Sequence, residues 1–135
     1  DFRADPMPDR ENLMTTYTLA IAAARAFDLM VFDGVYNDIA DAEGFAAEAR
    51  QAKAFGFDGK TLIHPTQVEP CNAIFAPPAD AVKQSRDVIA AFADPANAGK
   101  GVLKVNGKMT ELLHLAQAKR LVAVADAIKV REAAR

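Results

Sequence analysis

Five side chains stand at positions where a chain does chemistry. Asp33 closes the short apolar run 28–33, and Asp38 follows it in the loop 35–42, which also carries Tyr36. Two carboxylates in a strand-end loop can bind a cation or hold binding residues in place. They can equally fix the loop by Asx turns or cap the next helix. His64 ends a second run, 57–64, just before Pro65. An imidazole there suits general-base work, and also plain hydrogen bonding to backbone. Glu111 lies just past Asn106-Gly107, in what the pattern predicts to be the first turn of a helix. A carboxylate is favoured there by the helix dipole, whether or not it also moves protons. Of the rest, His114 reads as a solvated or packing residue on that helix. Cys71 reads as a small buried hydrophobe.

Several chemistries are excluded by what is missing. The sequence holds no Gly-x-Gly-x-x-Gly, no Walker-type loop and no Gly-x-Ser-x-Gly elbow. Gly99-Lys100-Gly101 is too short to cradle a phosphate, and the single serine, Ser85, falls inside a predicted helix. These gaps argue against a nucleotide kinase, a dinucleotide dehydrogenase and a serine hydrolase. No paired His and no Cys cluster suggests a transition-metal site. In 135 residues, 16 Lys and Arg are scattered among 18 acids for a net charge of −2. That is the wrong balance for a nucleic-acid surface. No apolar stretch nears the roughly 18–20 residues of a membrane span. One cysteine leaves no internal disulfide, so a cytoplasmic, reducing compartment is expected. The chain opens Asp1-Phe2-Arg3 with no Met, which reads as a processed chain or a piece of a longer one.

Behind these residues the apolar spacing predicts the elements. Residues 1–10 read as a loop, with Asp9 able to cap a helix over 11–27 built on Leu13, Tyr17, Ala20, Ile21, Ala24 and Phe27. Buried parallel-type strands are expected at 28–33 and 57–64. Between them, 43–55 reads as a helix with Phe45, Ala49, Ala52 and Phe55 inward and Gly56 as its stop. A short, Pro70-disturbed helix at 65–75, a long helix at 78–93, a strand at 102–105 and a last helix from Met109 past Ile128 complete the reading. Alternation of helices and strands means α/β with a parallel sheet. Two such strands are too few to stand alone. The two strand–helix units therefore look like the closing part of a larger (β/α) barrel.

The runs Phe32-Asp33-Gly34-Val35-Tyr36-Asn37-Asp38, Glu43-Gly44-Phe45 and Gly56-Phe57-Asp58-Gly59-Lys60-Thr61-Leu62-Ile63-His64-Pro65-Thr66-Gln67-Val68 come in order. Phe75-Ala76-Pro77, Gly99-Lys100-Gly101 and Asn106-Gly107-Lys108-Met109 follow. In this order and spacing they resemble the C-terminal part of the citrate lyase beta-subunit-like enzymes of the HpcH/HpaI aldolase superfamily. That group includes malyl-CoA lyase, citramalyl-CoA lyase and malyl-CoA thioesterase. The resemblance implies the C-terminal portion of a (β/α)8 TIM barrel over residues 1–76 with a C-terminal helical extension over 77–135. It also implies a Mg²⁺-dependent carbon–carbon lyase, with Mn²⁺ able to replace the metal, acting on a CoA thioester of a hydroxy acid. It would give acetyl-CoA and a 2-oxo acid. Asp1-Phe2-Arg3-Ala4-Asp5 looks like the family's metal segment, which would make Asp1 the ligand; the partner Glu and a substrate-binding Arg would lie upstream. Gly107, Met109, Thr110 and Glu111 match a family segment whose Asp acts as acid or base in a neighbouring subunit. Glu111 would then be catalytic, one methylene longer than the family's Asp. Lys60 or Lys108 would be open to CoA phosphates. A homo-oligomer, trimer or hexamer, is implied. Alternatives are a malyl-CoA thioesterase, a CoA-independent 2-oxo-acid aldolase, or a non-catalytic fragment that completes a barrel with another chain.

Overall fold

A computed structural model describes residues 3–5 and 7–134. The fold is α/β and mostly helical. It divides into two compact units, the first ending at Phe75 and the second beginning at Ala76.

The first unit runs α1 (Met14–Ala26), β1 (Phe32–Asp33), α2 (Ala42–Phe55), β2 (Gly59–Lys60) and α3 (Val68–Phe75). Helix α2 follows its sequence closely. The Asp41 carboxylate accepts from the Gly44 N–H at its start, and Gly56 ends it at φ 104°, in left-handed backbone that glycine adopts without a Cβ clash. Phe45, Ala49 and Ala52 repeat at helical spacing and are buried. Ile21, Ala52 and Phe57 form the core, with Tyr17, Val31, Phe55 and Phe75 against it. The Tyr17 ring meets Phe55 and Phe57 edge-on, at 6.0 and 5.5 Å between centroids.

The two strands pair in parallel, as expected, but each is only two residues long. Leu29, Met30 and Phe32 are exposed rather than buried. A parallel strand buries both faces only when neighbours flank it and layers cover it, and this sheet has two strands. Asp9 also departs from expectation. It does not cap α1; it lies in a 3-10 segment, Pro8–Leu13, where Asp9 and Arg10 take left-handed φ of 55° and 56°. Pro70 disturbs α3 little, because it sits in the first turn, where a helix has no use for the N–H.

The second unit runs α4 (Ala79–Ala93), β3 (Val102–Val105), β4 (Lys108–Glu111) and α5 (Leu112–Ala133). Strands β3 and β4 form an antiparallel hairpin, Val102 opposite Glu111 and Val105 opposite Lys108. Asn106 and Gly107 both take positive φ, the geometry of the two-residue turn that matches strand twist. The last helix therefore begins at Leu112, not Met109, because 108–111 are spent pairing with β3. Val88, Val105 and Ala118 make this unit's core, flanked by Ile89, Phe92, Leu103 and Leu115.

Gly56→Ala is expected to destabilise the chain by about 1–2 kcal/mol through the left-handed backbone it must keep. Urea unfolding checks this; an unchanged midpoint would contradict it.

Candidate functional site

The parallel register sets Asp33 directly beside Lys60. Paired residues of neighbouring strands project to the same face, so the two side chains meet. Lys60 Nζ donates to Asp33 Oδ2 at 2.9 Å, to the Gly34 carbonyl at 2.8 Å and to Glu48 Oε1. All three ammonium protons are thus used. The side chains of Lys60 and Asp33 are 0% and 1% exposed. Arg10 completes the group: one terminal nitrogen reaches Asp33 Oδ1 and Oδ2 at 2.8 and 2.9 Å. Its Nε and other terminal nitrogen both donate to Gln51 Oε1, at 2.8 and 2.6 Å. The guanidinium lies 5.1 Å from the Tyr17 ring centroid, in cation–π range. Two acids and two bases therefore cancel in a site largely closed to water. Nearby, Arg25 ties the entry to the strands, bonding Asp58 Oδ2 and the Gly56 carbonyl.

This corrects the reading of Asp33 as a cation-binding group: both its oxygens already face cations of the protein. It also corrects Lys60 as a CoA contact, since its ammonium is buried and saturated. Tyr36 and Asp38 stand in the β1–α2 loop, as expected. The Tyr36 hydroxyl donates to Asp41 Oδ2 at 2.6 Å. That bond, with the negative charges around it, pushes the phenol up to about 12; the same bond lowers Asp41. Asp38 accepts from the backbone N–H of Ala40 and of Asp41, the Asx-turn alternative. His64 caps the 3-10 turn Pro65–Gln67, its Nδ1 accepting from the Thr66 N–H and meeting Thr66 Oγ1 at 2.8 Å. Cys71 is buried and free, and burial raises its thiol.

Three residues that sequence reasoning passed over do much of the positioning. Arg10 and Glu48 complete the charged group. Gln67, buried, accepts from the Ile63 N–H and donates to the Tyr36 carbonyl, joining the two strand-end loops. In the second unit, exposed Glu111 closes β4 and stands at the N-cap of α5, not in its first turn. Its backbone N–H donates to His114 Nδ1 at 2.9 Å, so His114, exposed as a solvated residue would be, also caps the helix.

Asp1, expected as the metal ligand, lies outside the described residues. Among the described residues, no three of His, Cys, Asp and Glu gather as a metal site. Asp33, Asp38 and Asp41 already serve cationic side chains or backbone N–H groups. The described residues do not by themselves fit a Mg²⁺ ion.

Residues 1–65 match the family model of HpcH/HpaI aldolase/citrate lyase. Over 121 residues the chain is 45% identical to a (3S)-malyl-CoA thioesterase of Cereibacter sphaeroides, covering 90% of this chain and 42% of that protein. Over 127 residues it is 34% identical to citrate lyase subunit beta of Leuconostoc mesenteroides subsp. cremoris, covering 94% of this chain and 42% of that one. Among solved structures it is similar to the CitE protein of Mycobacterium tuberculosis, crystallised with magnesium, acetoacetate and coenzyme A. That match has a TM-score of 0.70 and 28% identity, over 91% of this chain and 46% of the other. The chain spans about two fifths of the length of the curated relatives it matches. The resemblance read from the sequence is borne out.

Two measurements follow from the charged group and the tyrosine. Lys60→Met leaves two carboxylates facing Arg10 alone, and a loss of about 3–5 kcal/mol in unfolding free energy is expected. A loss under about 1 kcal/mol, the range of exposed pairs, would mean the group is more solvated than it stands here. Tyr36 is raised above its unfolded value of 10.0, so its bond stabilises fully below that pH and fades as pH rises toward about 12. Asp41 is lowered from 3.8, so its share is lost only as pH falls below that value. The melting-temperature gap between wild type and Tyr36→Phe should therefore stay level between these limits and shrink outside them.

Proposed function

We propose that the protein carrying this chain, whose residues 1–65 match the family model of HpcH/HpaI aldolase/citrate lyase, acts on a CoA thioester of a short hydroxy acid. The reaction proposed is carbon–carbon cleavage of a malyl-CoA, citramalyl-CoA or citryl type of substrate. The observation that carries the reading is the similarity to thioester-acting relatives, which runs over nine tenths of the chain. On this reading residues 1–76 supply the last strand–helix units of a (β/α)8 barrel, and 77–135 a helical extension.

In cleavage of a malyl thioester the bond between the α and β carbons breaks. The hydroxyl-bearing carbon becomes the aldehyde of glyoxylate, and the α carbon takes a proton to become the methyl of acetyl-CoA. Glu111 is the proposed proton donor, and the acceptor in the reverse direction. Its exposure supports this, because a proton carrier must meet substrate. Met109, Leu112 and Leu113 beside it are exposed apolar residues, which supports a homo-oligomer, trimer or hexamer, with this edge against a neighbouring subunit. Asp1 is the proposed Mg²⁺ ligand, with Mn²⁺ able to replace the metal, alongside ligands that the described residues do not supply. Coenzyme A enters as the acyl carrier. Tyr36, Asp38 and His64 shape the strand-end loops rather than react, in keeping with the bonds they already make.

A second reading, thioester hydrolysis to malate and free CoA, is favoured by the 45% identity to a malyl-CoA thioesterase. The products separate the two. Incubation of the full-length protein with malyl-CoA and Mg²⁺ should yield glyoxylate without free thiol; thiol without glyoxylate would replace cleavage by hydrolysis. Neither product would sink both. Glu111→Gln should lower the rate by about 10²–10⁴-fold with an unchanged melting temperature.

A further inference from the structure

Beyond its last rung a parallel strand pair has nothing of its own to keep the two chains together. Here that rung is the Thr61 N–H donating to the Asp33 carbonyl at 3.0 Å, with the Lys60 ammonium on the Gly34 carbonyl at 2.8 Å. Past it the chains enter separate loops, 34–41 after β1 and 61–64 after β2. Each loop carries backbone groups that the ladder does not use and that still need partners. One side chain takes a group from each. Gln67, 4% exposed, ends the 3-10 turn Pro65–Gln67. Its Oε1 accepts from the Ile63 N–H at 3.1 Å, and its Nε2 donates to the Tyr36 carbonyl at 3.0 Å, 31 positions away. A side-chain amide offers the donor and acceptor of a peptide, so Gln67 supplies an extra rung where the sheet has stopped.

Both ends of that rung are themselves fixed. The Gln67 N–H donates to the His64 carbonyl at 3.1 Å. The Tyr36 ring meets Phe45 of α2 edge-on, at 6.2 Å between centroids, and its hydroxyl bonds Asp41 at the start of that helix. Helix α2 has its cap in Asp41 and the 3-10 turn has its own in His64, so neither element needs the bridge in order to form. What the bridge adds is a set distance between the two loops.

On the functional reading above, on which this inference rests, the C-terminal ends of β1 and β2 border the thioester site, as strand ends do in a (β/α)8 barrel. We propose that Gln67 is a positioning residue for that site: its amide holds the two strand-end loops at the separation that turnover requires. It touches no reacting atom on this account. Its effect passes through backbone geometry, so it falls on turnover more than on binding.

The test uses the full-length protein, with Gln67→Met as a near-isosteric variant that removes both side-chain bonds. Deuterium exchange of the Ile63 N–H should quicken by about tenfold, the scale of one lost hydrogen bond. On the same protein kcat for malyl-CoA should fall on the order of 10²-fold, with KM within about threefold. Phe57→Leu loosens the apolar core instead, and should leave kcat unchanged at temperatures where both variants are folded. Gln67→Asn keeps an amide one methylene too short to span both loops. It should lose kcat as Met does, and it carries the same readings if Met does not fold at this position. Faster exchange at Ile63 with kcat unchanged would overturn the proposal. So would unchanged exchange, a rise in KM alone, or a loss of kcat that Phe57→Leu shares. A wild type inert toward malyl-CoA would instead overturn the functional reading; the exchange contrast at Ile63 would still appear, which tells the two failures apart.

Discussion

The first unit is organised by one electrostatic constraint: a carboxylate at the end of β1 with almost no access to water. A buried charge without partners is far costlier than any single packing contact. Asp33 is therefore tolerated only where cations surround it. Lys60 comes to it through strand register, Arg10 from the segment before α1, and Glu48 from α2 balances the second cation. Four separate stretches of chain are thereby held to one point. The apolar contacts of Ile21, Ala52 and Phe57 supply attraction without direction; the charged group decides which residues lie beside which.

What the sequence revealed depended on how local each cause was. Helix α2 was legible to within a residue, because its start at Asp41, its stop at Gly56 and its inward face at Phe45, Ala49 and Ala52 are all written within about 15 residues. The Asn106-Gly107 turn was legible for the same reason. Strand β4 was not. Of Lys108, Met109, Thr110 and Glu111 only Thr110 faces inward, so no alternation of apolar residues marks it, and its cause is the partner strand. The unpaired look of 102–105 was the available clue, since a lone strand must find an edge. The run 28–33 misled in the other direction: apolar residues there predict burial, and a two-stranded sheet cannot provide it.

The site followed the same rule. Asx turning by Asp38 and the capping role of His64 were foreseeable alternatives, because their partners lie within three residues. The role of Asp33 was not, since its cations come from 23 residues before it and 27 after. One signal pointed that way. A lysine inside the strand expected at 57–64 is rarely buried without an acid to meet it, and Asp33 ends the parallel-type strand expected at 28–33. Family resemblance supplied what spacing could not, a chemical class. It also opened Lys60 to CoA phosphates, as strand-end position had opened Asp33 to a cation, and their buried mutual contact gives both a structural task instead.

Folding order follows from the same separations. The β3–β4 hairpin joins residues three to nine positions apart, a closure of the microsecond kind. The contacts of Arg10 with Gln51 and Asp33, and of Asp33 with Lys60, span 41, 23 and 27 positions, and each long loop costs entropy before it is rewarded. On a chain growing from its N-terminus, Arg10 and Asp33 emerge well before Lys60 and stay hydrated until it arrives. The charged group is thus a late lock, set only after apolar collapse has brought its members within reach, and the first unit spends its synthesis unfinished while the later hairpin can close almost as soon as it exists.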